Sequence, residues 1–275
     1  MANVLEYLKA EVWKKMNVLL SFDVEEFDLP REYLIYISEE EMYLQSYRGL
    51  LRILDLLDKY KLKATFFVTL NFAKKYPELI REVSEKHEIG CHGYSHIDNY
   101  NKKGTERISD AKKGIEKIIG KKIYGFRAPR GNCPGFRELS KTGFVYDSSL
   151  HPVFIPGRYN HFLESRRIFK QNNIIEIPWA TSTFLRLPLF GFALRNFGGL
   201  GYAKIATKLY KLNFAVLGFH PWEFIEISQK VPLYTKRNSG DKIFNVVEKY
   251  IGWCLSRGYK FKSCYDYLKD ENIIA

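Results

Sequence analysis

The chain of 275 residues is 46% hydrophobic and 27% charged with a formal net charge of +12, proportions that exclude a disordered or low-complexity chain and suit one sizeable α/β domain. No run of roughly 18 apolar residues occurs, which excludes a membrane-spanning helix. The net charge would draw the chain toward anionic partners such as an acidic membrane surface or glycan. The lysines, however, are dispersed in pairs such as Lys74-Lys75 and Lys121-Lys122 without a nucleic-acid motif, so the charge reads first as a solvated basic surface and no nucleic-acid partner is expected.

In chain order, residues 1–16 place Val4, Leu5, Leu8 and Val12 at helical spacing and predict an amphipathic helix packed on a single domain over 17–275. Glu6, Lys9, Glu11, Lys14 and Lys15 break any signal-peptide core, and a cytoplasmic protein is expected. A strand over Asn17 to Phe22 is followed by a helix over Gln45 to Tyr60, a strand over Lys63 to Thr69, a helix over Tyr76 to Lys86 and a short strand over Glu88 to Cys91. Thr105 to Ile119 is predicted helical with Gly120 as its stop, then Ile123 to Phe126 a strand, Pro134 to Lys141 a short helix, and Phe144 to Tyr146 a strand. Mostly loop follows, until Ile174 to Ile177 forms a strand closed by Pro178. Tyr202 to Leu212 is predicted helical, Phe214 to Phe219 a strand, Lys242 to Leu255 a helix, and Lys260-Phe261 the start of a last strand before a terminal helix. Strands alternating with helices predict parallel pairing in a barrel or an open sheet. Four cysteines, Cys91, Cys133, Cys254 and Cys264, make no CxxC pair and read as reduced thiols.

Polar residues follow the predicted strands: Asp23 and Glu25 the first, His92 and His96 the third, Arg127 the fourth and His220 the seventh. In parallel α/β folds that rim is where active sites are built. His92 and His96 are spaced to reach one divalent ion, zinc suiting nitrogen ligands best, and a carboxylate from the first strand would complete a set with an open position. Of Asp23 and Glu25, one would neutralise metal charge and the other act as general base. Arg127, in Gly125-Phe126-Arg127-Ala128-Pro129-Arg130-Gly131, is suited to hold the base by a charge-assisted fork, and His220, in Phe219-His220-Pro221-Trp222-Glu223, to protonate a leaving amine.

These segments, in this order over roughly residues 17 to 265, resemble the motifs of the polysaccharide deacetylase family, the NodB-homology carbohydrate esterases, and among them a branch with a D-V-E first motif and an H-P-W-E last motif. The resemblance implies a distorted (β/α)7-type barrel and a metal-dependent hydrolase that removes acetyl groups from an N-acetylated glycan or lipid-linked saccharide. Asp23 corresponds to the family's base. Val24 stands where the family has its metal-binding Asp, and the ligand role is assigned to Glu25, with His92 and His96. The R-x-P motif matches Arg127 and Pro129, implying that Arg127 orients Asp23. The L-x-L-H-type motif matches Leu217 and His220, implying that His220 is the general acid, with Asp147 as its partner or Glu176 as the alternative. In the implied reaction Asp23 deprotonates a zinc-held water that attacks the acetyl carbonyl, and a backbone N–H near Tyr94 or in the Arg127 loop helps stabilise the oxyanion. Trp179 and Trp222 would wall the sugar or acetyl region, where Tyr94 and Pro129 also bind substrate.

Two other readings stand beside this one. Metal-free relatives of the fold hydrolyse cyclic amides or ureides, an option that Val24 keeps open, and a catalytically silent glycan-binding protein would keep the barrel alone. The apolar, Gly-rich segment Phe184 to Tyr202 reads as an inserted loop that covers the cleft or brings the protein to a lipid-linked glycan by peripheral contact at the inner membrane surface.

Overall fold

The computed structural model describes residues 16–96, 104–155 and 159–274; the predicted N-terminal helix, Met16 apart, lies outside them. Strands β1 (Asn17–Val24), β2 (Thr65–Val68), β3 (Glu88–Cys91), β4 (Gly125–Phe126) and β5 (Tyr146–Asp147) pair in sequence, all parallel. A small hairpin, β6 (Phe154–Ile155) and β7 (Tyr159–Asn160), stands apart. Next come β8 (Phe169–Gln171), β9 (Ile174–Glu176) and β10 (Phe214–Phe219), and the sheet order is β10-β1-β2-β3-β4-β5-β9-β8, with β11 (Lys260–Phe261) beside the start of β1.

The sheet curls back on itself. Just past β9, Trp179 bridges Val216 of β10, and the Ala180 N–H donates to the Val216 carbonyl at 2.9 Å. β1, β2, β3, β4, β5, β9 and β10 thus form the ring of a distorted parallel barrel, as the sequence predicts. The helices include α1 (Glu39–Tyr60), α2 (Pro77–Lys86), α3 (Gly104–Ile119), α4 (Gly191–Asn196), α5 (Gly199–Lys208) and α6 (Asp241–Ser256), with further short helices at Leu29–Glu32, Leu70–Lys75, Phe136–Ser140, Leu233–Lys236 and, near the end of the chain, Cys264–Asp270. No described helix is long and apolar enough to cross a membrane.

Alternation along β1 explains how the core positions the site. Val18, Leu20, Phe22 and Val24 pack into the larger apolar cluster with Leu50, Ile53 and Ile115 of the helices. Leu19 instead joins Phe67, Tyr146, Ile175 and Val216 inside the barrel. Because successive side chains point to opposite faces, Ser21 and Asp23 share the interior face with Leu19. Val24 is fully buried toward the helices.

Several boundaries differ from the sequence reading for identifiable reasons. α1 starts six residues early, because the Ser38 hydroxyl accepts the Glu41 N–H at 3.2 Å and caps the first turn. The stretch read as mostly loop before Ile174 contains β8, which pairs with β9 through a two-residue turn at Asn172 and Asn173, both with positive φ. Two asparagines between strands are a primed-turn signal. The segment 184–202, read as an inserted loop, holds α4 and the start of α5. Burial of Ala193, Leu194 and Ala203 organises it more than helical periodicity does.

Candidate active site

Arg127 occupies the middle of the barrel, 1% exposed, with its guanidinium between the rings of Phe67 and Trp179 at 4.1 and 4.4 Å from their centroids. Nη1 donates to Asp23 Oδ1 at 2.7 Å and to Ser21 Oγ at 2.9 Å, Nε to the Ser148 carbonyl at 2.9 Å, and Nη2 to Ser148 Oγ at 3.1 Å. Burial alone would raise the Asp23 carboxyl, but Arg127, followed by His92 and His220, outweighs it and holds the group below the ordinary carboxylate value. Asp23 sits within β1, in register with Phe67, instead of beyond the strand.

Glu25 follows the strand end and turns back over the interior. Its Oε2 lies 3.0 Å from His92 Nε2 and 3.3 Å from His96 Nε2, and its Oε1 accepts Trp222 Nε1–H at 3.2 Å. Each imidazole is held from behind: His92 Nδ1 by the Arg127 carbonyl at 2.9 Å, and His96 Nδ1 by Asp28 Oδ1 at 2.6 Å. Arg130 in turn pairs with Asp28 at 3.1 Å and Glu32 at 2.6 Å. This is the outer support that metal-binding imidazoles use.

Since the Arg127 carbonyl can only accept, His92 Nδ1 carries a proton, and a neutral ring turns its Nε2 lone pair toward a carboxylate oxygen. A cation shared between them would relieve that opposition. Among the described residues no three such donors stand open around a common centre, since these close on one another directly. The chemistry of the set, two imidazole nitrogens and a carboxylate, nevertheless fits a divalent cation. The His96 imidazole is held above its ordinary value, because Glu25 and Asp28 outweigh the effect of burial.

His220 completes the group, with Nε2 at 3.9 Å from Asp23 and 3.8 Å from Glu25 and its ring stacked on Trp222 at 4.8 Å. Burial disfavours its charged form, yet Glu25, Glu223 and Asp23 lift it to about 9. Its partner acid is Glu223, three residues on: Oε2 accepts the His220 backbone N–H at 3.1 Å and lies 3.8 Å from Nδ1, while Oε1 pairs with buried Arg195 at 3.0 Å. A Cβ at Gly191 would fall 1.9 Å from that carboxylate, so only glycine allows the approach.

Other expected residues are placed differently. Asp147 and Glu176 lie beside each other on adjacent strands, outside the lining of the cavity that holds His220, and burial pushes both carboxyls up, Glu176 well above the ordinary range. Asp147 accepts from Ser149 Oγ at 2.5 Å. Their shared register position holds the two acids together and away from the histidine. Tyr94 lies under Arg107 and Lys74, with its hydroxyl 3.1 Å from Lys74 Nζ, outside the cavity. Pro129 is buried in a tight turn, and its neighbours Ala128, Arg130 and Gly131 line the cavity instead. Trp179 and Trp222, by contrast, both line the cavity; Trp222 also donates to Glu25, and Trp179 packs on Arg127 and donates to the Ser148 carbonyl at 2.9 Å.

The resulting cavity, about 450 Å³, is lined by Asp23, Glu25, His92, His96 and His220 together with the aromatic residues Phe190, Phe192 and Tyr234. Sequence reasoning missed Asp28, His151, Arg195 and Glu223. Glu223 was within reach as the last residue of the H-P-W-E run, whereas Arg195 carries no local signal.

Residues 36–141 match the family model described as polysaccharide deacetylase, a span that includes His92, His96 and Arg127 but neither Asp23 nor His220. The chain is 32% identical over 140 residues to the peptidoglycan-N-acetylmuramic acid deacetylase of Bacillus subtilis, covering 48% of this chain and 52% of that protein. The chain thus spans about half the length of the curated relative. Among solved structures, a probable polysaccharide deacetylase from Pseudomonas aeruginosa superposes with a TM-score of 0.67 at 18% identity, over 92% of this chain and 90% of that one. Puue allantoinase superposes with a TM-score of 0.66 at 17% identity, over 92% and 89%. The protein therefore has the fold of the solved polysaccharide deacetylase, and over residues 36–141 it carries that family's sequence pattern.

Proposed function

We propose that the protein is a metal-dependent hydrolase that removes the acetyl group from an N-acetylated sugar of a glycan or lipid-linked saccharide. The observation that carries this reading is the convergence on one cavity of an Arg-held carboxylate, a carboxylate with two imidazoles, and a third imidazole within 3.9 Å of both carboxylates. The name of the curated relative, a peptidoglycan deacetylase, supports an N-acetylated glycan as the substrate class.

Glu25, His92 and His96 would hold a divalent cation, zinc by the nitrogen content of the set, which supplies charge neutralisation and Lewis-acid polarisation when bound. Asp23, kept ionised by Arg127, accepts the proton of the attacking water. Arg127 does this without moving, because four hydrogen bonds and two aromatic faces fix it. His220, kept protonated by the carboxylates around it, delivers its proton to the departing nitrogen. Trp222 keeps Glu25 and His220 in register from one position, and Phe190 and Phe192, which also line the cavity, limit water there.

Acetate release from N-acetylated oligosaccharides, measured after chelation and after zinc is restored, tests the proposal. Release that needs the metal and is lost in Asp23→Asn supports it. Release indifferent to chelation, or hydrolysis of a cyclic ureide in its place, overturns it in favour of the metal-free chemistry, and binding without any release would leave a glycan-binding protein.

A further inference from the structure

Away from the cavity, residues 161–167 and 181–188 form one projection. Arg166 Nε donates to the Thr181 carbonyl at 2.8 Å and Arg186 Nη2 to the Glu164 carbonyl at 3.2 Å, so the two loops are tied at their bases. The second loop is a hairpin: Thr181 bridges Pro188, and the Ser182 N–H donates to the Leu187 carbonyl at 2.9 Å. Arg186 adopts a left-handed φ of 50° to close it, a conformation uncommon outside glycine and asparagine.

The outermost side chains are apolar. Leu163 is 93% exposed, Phe184 83% and Leu185 67%, with Phe162 beside them. Single exposed apolar residues are ordinary, but a cluster on a tied projection marks an interaction surface. Set back from these tips are guanidiniums that lack anions. Arg166 Nη2 and Arg186 Nη1 are buried with no hydrogen-bond partner among the described residues. Arg166 lies over the Tyr210 ring at 5.3 Å and Arg186 over Phe162 at 5.6 Å. Burial, together with like charge from Arg166, depresses the Arg186 pKa, and Arg167 adds a further cation. Glu164 is the acid on this projection, and its carboxylate forms no ion pair with either half-buried guanidinium among the described residues. Arg166 and Arg186 are half-buried and Arg167 is exposed, so the three guanidiniums present positive charge beside the apolar tips and attract an anionic partner.

We propose that this projection docks the protein on an anionic phospholipid bilayer, with Leu163, Phe184 and Leu185 entering the boundary between headgroups and acyl chains and Arg166, Arg167 and Arg186 meeting lipid phosphates. Apolar tips with cations behind them match the depth profile of a bilayer surface, whereas a soluble polyanion would meet the apolar residues first. The net charge of +12 steers the whole chain toward such a surface.

Co-sedimentation of the full chain with vesicles of phosphatidylcholine containing about 30 mol% phosphatidylglycerol tests this. Wild type should partition onto these vesicles, lose that partitioning in high salt, and stay in solution with pure phosphatidylcholine. Leu163→Ser with Leu185→Ser should weaken partitioning about tenfold or more, leaving the thermal midpoint unchanged because both side chains are exposed. Arg167→Glu should act in the same direction through charge alone. Equal partitioning of wild type and the double variant, absence of partitioning, or retention of a short oligonucleotide as tight as that of the vesicles would overturn the proposal.

Discussion

Replacing Arg127 by Met keeps a long side chain between Phe67 and Trp179 but removes the charge. Four hydrogen bonds disappear, and Asp23, 4% exposed, is left with its carboxylate unpaired by any guanidinium. Breaking a buried pair on one side costs about 3–5 kcal/mol, so urea unfolding near neutral pH should show a loss of about that size. The loss should depend on pH in a definite direction. In the wild type the Asp23 pKa is lowered below 3.8, so the stability it contributes is present above that value and disappears as pH falls through the folded value. In the variant, burial is opposed only by His92 and His220, and the carboxyl titrates higher than in the wild type. Ionised Asp23 then costs stability at neutral pH, and protonation relieves it. The difference between the two proteins should therefore shrink as pH is lowered toward about 4. A loss under about 1 kcal/mol, or one that is the same at acid and neutral pH, would refute the assignment of Arg127 as the group that stabilises Asp23.

Further outcomes follow from the same geometry. Gly218→Ala would set a Cβ 2.0 Å from the Trp179 ring, and overpacking of about 1–3 kcal/mol or more should appear as a lower urea midpoint, with a change in tryptophan fluorescence as the indole leaves Arg127. In metal-depleted protein the raised pKa of His220, about 9, contributes stability that is full below its unfolded value and fades as pH rises through about 9; His220→Gln should remove this loss from the pH–stability curve. Glu223→Gln leaves buried Arg195 unpaired and lowers the His220 pKa, so the variant should be less stable by about 3 kcal/mol. Its acetate release should fall more at pH 8 than at pH 6, and an equal fall at both would count against Glu223 as the group that keeps His220 charged.

The sequence by itself determined the alternation of strands and helices and the identity of the side chains that converge; periodicity left a barrel or an open sheet, and the family resemblance implied the barrel. Apolar runs bounded by turn residues mark parallel strands, and polar residues at their ends mark the rim, both through local periodicity. Asp23, Glu25, His92, His96, Arg127 and His220 were legible for that reason. Only the tertiary structure decided which acid serves which base. Asp147 looked available to His220, yet strand register pairs it with Glu176, and Glu223 takes the place because a 3-10 turn after His220 folds it back under the imidazole. Arg195 reaches Glu223 across 28 residues, a juxtaposition that depends on α4 packing beside β10 and on the missing side chain at Gly191. Val24 likewise looked like a lost ligand, but alternation along β1 buries it among the helices, while Glu25, one step beyond the strand, is free of the pleat and turns toward the histidines. Side-chain direction within a strand follows from periodicity of two; direction beyond the strand end follows from contacts that only folding supplies.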